Sequence, residues 1–170
     1  MPKLDPRIWK RIEGKLAALK ALRPLAPAQV EKLRDQLQIE MTYHSNAIEG
    51  NRLTLRETYL VLREGMTIRG KPLKDHLEAK DHREALDFLF ELVSGRNVTV
   101  SEMLIRQFHR LVVRETEAEE AGKYRTGAVM ITGARHAPPE AVDVPPQMGA
   151  LGRWIRTNQG KLHRVELAAR

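Results

Sequence analysis

Apolar residues recur at helical spacing along most of the chain. Asp5 followed by Pro6 is typical of an N-cap and first helical turn. The apolar positions that follow are spaced by three and four residues: Ile8, Trp9, Ile12, Leu16 and Leu19. Pro24 and Pro27 are expected to end this first helix, because proline offers no backbone N–H to a helix interior.

A second helix is predicted from Ala28 to about Met41, through Leu33 and Leu37. The segment 43–51 then reads Y-H-S-N-A-I-E-G-N. Ser45 is predicted to cap a separate short helix, since a serine hydroxyl can accept from a free backbone N–H. Gly50 or Asn51 is predicted to take the left-handed conformation that ends that helix.

Two further helices have clear start and stop signals. Thr54 and Glu57 have the spacing of a capping box, and the helix they begin is expected to close at Gly65. Pro72 begins the longest periodic run, which stops before Gly95. Its apolar stripe consists of Leu73, Leu77, Ala85, Phe88, Leu89 and Leu92.

The pattern changes in the last third of the chain. Thr99 and Glu102 are predicted to form another capping box before a helix. Residues 122–146 are instead rich in glycine, proline and β-branched residues. They predict a hairpin-like flap with a short strand at 128–132 and a turn at Gly133.

Helical pattern resumes at Met148–Ile155, and residues 163–170 resemble the start of an amphipathic helix without a C-terminal cap. We therefore expect an all-α helical bundle with one small β-hairpin. The apolar stripe of this last helix needs another element to pack against, so we also expect the natural domain to continue past Arg170.

Composition narrows the classes of function. The chain has 170 residues, 42% apolar and 30% charged, which fits one soluble domain. It has no cysteine, no apolar leader and no stretch of bilayer-spanning length, so we expect a cytoplasmic protein. The net charge of +7 raises nucleic-acid binding as an alternative, although the basic residues are scattered among acidic ones.

Self-sufficient catalytic signatures are absent from the sequence. It contains no GxxxxGK[ST], GxGxxG, HExxH or G-x-S-x-G. His76 and His82 are six residues apart, off the common helical face that zinc-binding histidines need. Glu119 and Glu120 are adjacent, with nothing to separate their pKa values. We expect no metal site and no catalytic residue in this chain.

The segment around Ser45 is more informative. Ser45 and Glu49 lie four positions apart, on one face of a helical turn, and this spacing alone is more typical of an ordinary capped helix end than of a functional site. Ser45 to Gly50 nevertheless resembles the inhibitory-helix motif (S/T)-x-x-x-E-(G/N) of Fic proteins, followed by the similar stretch N-R-L-T-L-R-E-T. A third similar pattern comprises Gly122, Tyr124, Arg125, Val129, Ile131, Gly133, His136, Pro138, Pro139, Val144, Pro145, Met148 and Leu151.

The resemblance implies a role for each segment. Fic enzymes typically move AMP from ATP, with Mg²⁺, to a protein hydroxyl. The inhibitory segment would comprise Ser45, Glu49, Gly50 and Asn51, with Glu49 pairing an arginine that otherwise binds the γ-phosphate. The flap would cover the nucleotide and align a target segment by main-chain pairing, through Val129, Met130, Ile131, Thr132 and Gly133.

One departure from the family is decisive for activity. The signature H-x-F-x-(D/E)-G-N-G-R, which supplies the general base, the metal ligand and the phosphate cradle, does not occur in this sequence. We therefore predict the N-terminal part of a Fic adenylyltransferase, truncated before that signature and inactive alone, which would not bind ATP and Mg²⁺ productively. Its expected divisions are N-terminal helices (1–42), the inhibitory segment (43–51) and the first part of the Fic core (52–170).

The implied partners are a target protein at the flap, a missing C-terminal half or another Fic core, and a second copy of this chain. An antitoxin-like regulator that docks on another Fic core remains an alternative. A basic nucleic-acid-binding domain is the other.

Overall fold

The computed structural model describes residues 5–95 and 98–170. The described helices are α1 (Pro6–Ala21), α2 (Pro27–Ile48), α3 (Leu55–Glu64), α4 (Leu73–Ser94), α5 (Glu102–Val112), α6 (Val144–Asn158) and α7 (Arg164–Ala169), with a 3-10 turn at Ala141–Asp143 before α6. The mostly helical architecture confirms the helical part of the predicted fold class.

The core lies where α2, α3 and α4 pack together. Leu53, Val61, Leu62 and Ala79 form a buried apolar cluster, with Ile68 packed against it. Helix α5 packs on α4, and α6 packs on α5. The core is thus built mainly from the first half of the chain.

Polar side chains also lie between α2 and α4. Gln38 and Thr42 of α2 are buried. The Nε2 of Gln38 donates to Oδ1 of Asp87 at 2.5 Å, and a 3.1 Å hydrogen bond joins Thr42 Oγ1 to Nδ1 of His82. Burial lowers the pKa of His82, so its neutral form is favoured. Because these groups need their partners when buried, they fix the register of the two helices.

Several predicted helix ends are confirmed. Asp5 caps α1 by accepting from Arg7 N at 2.8 Å. Thr54 and Glu57 form the capping box of α3, whose C-terminal residue Gly65 is left-handed. Helix α4 begins directly after Pro72 and ends directly before Gly95.

Two capping predictions are wrong. The separate short helix at Ser45 does not exist, because α2 continues without a break through Met41 to Ile48, and Ser45 lies within its last turns. The contact of Thr42 with α4 keeps the helix going past the point where local signals suggested an end. At α5 the cap is Ser101, which accepts from Leu104 N at 3.2 Å, and not Thr99.

The predicted β-hairpin is also wrong. Within the described residues no strand is present. Residues 122–140 are turns and coil, residues 141–143 form the 3-10 turn, and α6 already begins at Val144. The run 128–132 has strand-like residues, but the return leg contains Pro138 and Pro139, which have no N–H to donate to a ladder. A turn remains where Ala134 N donates to Ile131 O at 3.1 Å.

In the two described ranges, every helix is too short or too polar to cross a lipid bilayer.

Candidate functional site: the C-terminal end of α2 and the segment 126–140

The end of α2 is a Schellman motif. Asn51 N donates to Asn46 O at 3.0 Å, and Gly50 N donates to Ala47 O at 3.2 Å. Gly50 has φ 92°, a left-handed conformation that glycine adopts without steric cost. The left-handed residue predicted here is therefore Gly50, and Glu49 is the C-cap residue of the helix.

Asn51 ties this helix end to the start of α4. Its Nδ2 donates to Asp75 O and to Oε2 of Glu78, both at 2.9 Å. Its Oδ1 accepts from Leu53 N at 3.0 Å. Arg52 N donates to Oδ2 of the buried Asp75 at 3.0 Å. Because these side-chain bonds are partly buried, the backbone after Glu49 has a fixed course.

Lys71 holds the same loop from its other side. Its ammonium donates to Arg52 O and lies 3.2 Å from Oε2 of Glu57. The pKa of Glu57 is lowered, first by the hydrogen bond from Thr54 N and also by Lys71. The carboxylate that closes the capping box of α3 thus also joins α3 to this loop.

Glu49 itself is exposed, and in the described part of the chain its carboxylate takes part in no ion pair. The last turn of α2 has no basic residue to offset this charge. A carboxylate at a helix C-terminus is electrostatically unfavourable, since the helix end carries partial negative charge. Nothing among the described residues compensates for it.

Two other polar side chains accompany Glu49. Ser45 is half-buried and lies one turn earlier on the same face. Asn46 has a buried Nδ2 with no hydrogen-bond partner within residues 5–95 and 98–170. Sequence reasoning did not select Asn46, although an asparagine with low helix propensity late in a helix is a usable signal.

The segment 126–140 presents apolar side chains to solvent. Val129, Met130 and Ile131 are 50%, 91% and 58% exposed, and the neighbouring Thr132 and Gly133 are exposed as well. The base of the segment is held by Arg125, which donates to Gly127 O at 2.9 Å and to Pro139 O. Through residues 5–95 and 98–170, no hydrogen bond or ion pair joins this segment to residues 45–51.

Asp75 and Glu78 were missed by the sequence analysis. An acidic residue in the first turn of α4 is a visible signal, because the helix N-terminus favours negative charge. Both residues anchor Asn51, from which Asp75 is 24 and Glu78 is 27 positions distant in the sequence. A local sequence pattern does not show contacts over such a separation.

The described residues do not fit a Mg²⁺ site. Across residues 5–95 and 98–170, no three His, Asp or Glu side chains cluster in a way that could hold a metal ion. Magnesium requires oxygen ligands in near-octahedral geometry. Any metal used by the family has no cage in this part of the chain.

The sequence is similar to curated Fic proteins. No protein-family model matches the chain. It is 29% identical over 167 residues to the protein adenylyltransferase Fic of Nematostella vectensis, a match of 98% of this chain and 38% of the relative. It is 30% identical over 168 residues to the protein of the same name from Drosophila grimshawi, covering 98% of this chain and 34% of the relative. The chain thus spans about a third of the length of these relatives.

Two solved structures of Fic proteins are also similar to this chain. A Fic domain-containing signaling protein from Bacteroides thetaiotaomicron superposes with a TM-score of 0.83 at 28% identity, covering 93% of this chain and 61% of that one. Fic-1 from C. elegans superposes with a TM-score of 0.68 at 26% identity, covering 88% of this chain and 45% of that one. The chain is therefore a Fic-family protein over the residues that these matches cover.

Proposed function

We propose that this chain is a regulatory and target-docking part of a Fic protein adenylyltransferase, with Glu49 as the inhibitory residue. The curated relatives are named protein adenylyltransferases, which supports transfer of AMP as the reaction of the whole protein. The chain itself contains no H-x-F-x-(D/E)-G-N-G-R sequence. On this proposal it binds no ATP or Mg²⁺ productively and transfers no AMP by itself.

The observation that carries the proposal is the position of Glu49. Its backbone is fixed by the Schellman motif and by Asn51, but its carboxylate is exposed and has no cation beside it in the described ranges. A charge held at an unfavourable helix end is explained if an arginine from outside these residues binds it. An arginine engaged in that way would be unable to bind the terminal phosphates of a nucleotide.

The segment 129–133 is proposed as the docking edge for a target. In the described part of the chain, the Ala134 to Ile131 turn is the one backbone hydrogen bond within residues 126–139. Exposed backbone N–H and C=O groups are therefore available for strand-like pairing with an extended peptide. The exposed side chains of Val129, Met130 and Ile131 would contact apolar target residues.

The experiment adds the purified chain to a Fic core that carries the catalytic signature but lacks an inhibitory helix. AMP transfer is measured with ATP labelled at the α-phosphate. The wild-type chain should lower the rate, and Glu49→Ala should restore it by about 5- to 150-fold, the usual range of coupling between sites. Glu31→Ala, on the exposed part of the same helix, is the matched control and should inhibit like wild type.

Two results would count against the proposal. Transfer of AMP by the chain without any added core would show that it is not catalytically silent. Equal inhibition by wild type and Glu49→Ala would show that the carboxylate is not the inhibitory group.

A second candidate function is regulation in trans, with this chain docking on a separate Fic core. It is favoured by an exposed apolar stripe along α2, comprising Val30, Leu33, Leu37, Met41 and Ile48. An apolar stripe of this length is typical of a helix that packs against a partner. A separate core and a core within the same polypeptide would both cover it.

Size-exclusion chromatography with a separately expressed core tests whether the chain docks on it and whether the stripe is the contact. Leu37→Asp should abolish co-elution, since it places a charge in the proposed contact. Ala28→Asp adds the same charge at the exposed start of α2 and should leave co-elution intact. Glu49→Ala should bind without inhibiting. If Leu37→Asp also co-elutes, the stripe is not the contact.

A further inference from the structure

Three cationic side chains line one cavity between α5 and the loop that follows it. The cavity has a volume of 590 Å³, and its lining includes Arg106 and Arg110 of α5 and Lys123 of the loop. No acidic residue belongs to the lining, and the apolar part is supplied by Met103, Leu111 and Ala121. We propose that this cavity binds a small ligand that carries a phosphate group.

The cations are positioned but not neutralised. Nε of Arg106 donates to Gly122 O at 2.8 Å, and its guanidinium lies 5.2 Å from the ring centroid of Tyr124. Nζ of Lys123 donates to Glu119 O at 2.5 Å. In the described part of the chain none of Arg106, Arg110 and Lys123 forms an ion pair with a carboxylate. Their remaining N–H groups are available to an anion.

Close approach of the backbone brings these cations together. Gly122 has φ 73°, and a Cβ there would lie 3.1 Å from Arg106 O and 3.1 Å from Cβ of Arg110. Gly122 N also donates to Nδ1 of His109 at 3.0 Å. The loop is thus held against α5 at the point where Lys123 follows. Like charges held close together raise the energy of the folded state unless an anion compensates them.

The neighbouring groups favour a compact anion over a long acidic chain. Glu117 and Glu120 line an adjacent cavity of 430 Å³, which shares Arg106 and Lys123 and adds Arg125. These carboxylates would repel a ligand whose negative charge extended beyond the first cavity. A phosphate matches the fork of an arginine guanidinium, and the apolar lining suits an organic group attached to it.

Binding is tested on the full 170-residue chain by calorimetry with two probes, inorganic phosphate and phenyl phosphate. Saturable binding that weakens as sodium chloride rises is expected, because the interaction is electrostatic. Tighter binding of phenyl phosphate would show that the natural ligand is an organic phosphate, whereas equal binding would identify free phosphate. Either result supports the cavity as a phosphate site.

Arg110→Gln and Lys123→Gln should each weaken binding about tenfold, as expected for the loss of one charge-assisted hydrogen bond. Arg69→Gln removes the same charge from an exposed loop residue elsewhere and should change the affinity less than twofold, on the order expected for a distant screened charge. Arg110 and Lys123 are both exposed, so both variants should fold. Absence of saturable binding, or an equal loss in Arg69→Gln, would overturn the proposal. Neither result bears on Glu49 or on AMP transfer.

Discussion

Asp81 shows how a single buried charge organises part of this fold. The residue is 0% exposed, and its Oδ2 accepts from Glu115 N at 2.7 Å. Arg114 lies 3.4 Å from its Oδ1 and also binds Glu84 at 2.5 Å. Burial raises the pKa of Asp81, whereas the hydrogen bond from Arg114 lowers the pKa of Glu84. The contributions of these two α4 carboxylates to folding stability therefore change with pH in opposite directions.

The sign of each effect follows from proton linkage. A carboxyl whose pKa is raised in the folded state holds its proton more tightly there than in the unfolded chain. The stability that Asp81 contributes is thus present below the ordinary carboxyl pKa and is lost as pH rises through its raised value. For Glu84 the contribution is present above the ordinary carboxyl pKa and is lost as pH falls through its lowered value.

Substitutions at Asp81 separate its hydrogen bond from its charge. Asp81→Ala leaves the N–H of Glu115 without its acceptor and should lower the free energy of unfolding by about 2 kcal/mol. Asp81→Asn keeps an oxygen acceptor and removes the buried charge. Urea denaturation from acidic to neutral pH should show Asp81→Asn gaining stability relative to wild type as pH rises. A difference that does not vary with pH would contradict the raised pKa of Asp81.

At the scale of elements, the loop after α5 depends on one glycine. The Cβ that Gly122→Ala adds would lie 3.1 Å from each of two atoms of α5, and the φ of 73° at this position is left-handed. It should lower the free energy of unfolding by more than about 2 kcal/mol. Gly133→Ala meets nothing within 4 Å but has φ 79°, so it should cost only about 1 kcal/mol.

Gly127→Ala is the matched control for both substitutions. Gly127 lies in the same segment, has no left-handed φ and meets nothing within 4 Å of an added Cβ. Its substitution should leave the free energy of unfolding nearly unchanged. Chemical denaturation of the three variants should therefore give a graded series, and equal losses in all three would contradict the role assigned to close approach at Gly122.

Elements with local signals could be predicted from the sequence, and those set by distant contacts could not. The capping box at Thr54 is completed by groups three residues apart, so the pattern alone reveals it. The course of α2 past Met41 depends on Thr42 meeting His82, 40 positions away. The strand predicted at 128–132 would have needed a partner strand, and the proline-rich return cannot pair with it. Long-range partners overrode local preference in both places.

The candidate sites divide in the same way. The helix end at Glu49 and Gly50 could be predicted, because the residues that determine a helix end are consecutive in the sequence. The cationic cavity could not be predicted from the sequence, because Arg106 and Lys123 come together only through the left-handed turn at Gly122. No periodicity in the sequence marks that approach.

At the scale of the whole molecule, burial is uneven along the chain. Ala79, Ala85 and Leu86 of α4 are buried, whereas α1 contributes no buried residue. Helix α1 is held through Trp9, whose ring meets that of His163 edge to face at 4.4 Å, and through Glu13, 3.4 Å from Nε2 of the same histidine. Since His163 also caps α7, the first and last helices depend on one partly buried junction.

Hydrogen exchange should resolve this difference. Amides of α4 near Ala85 are expected to exchange only through global unfolding, and those of α1 through local opening, at rates higher by about a hundredfold or more. Trp9→Ala removes the aromatic contact with His163 and should speed exchange in α1 and α7 while leaving α4 unchanged. Ile8→Ala, an exposed neighbour, is the control and should have little effect. If α1 exchanged as slowly as α4, or if Trp9→Ala accelerated α4 as well, the first helix would belong to the cooperative core and the junction at His163 would not be a separate unit of stability.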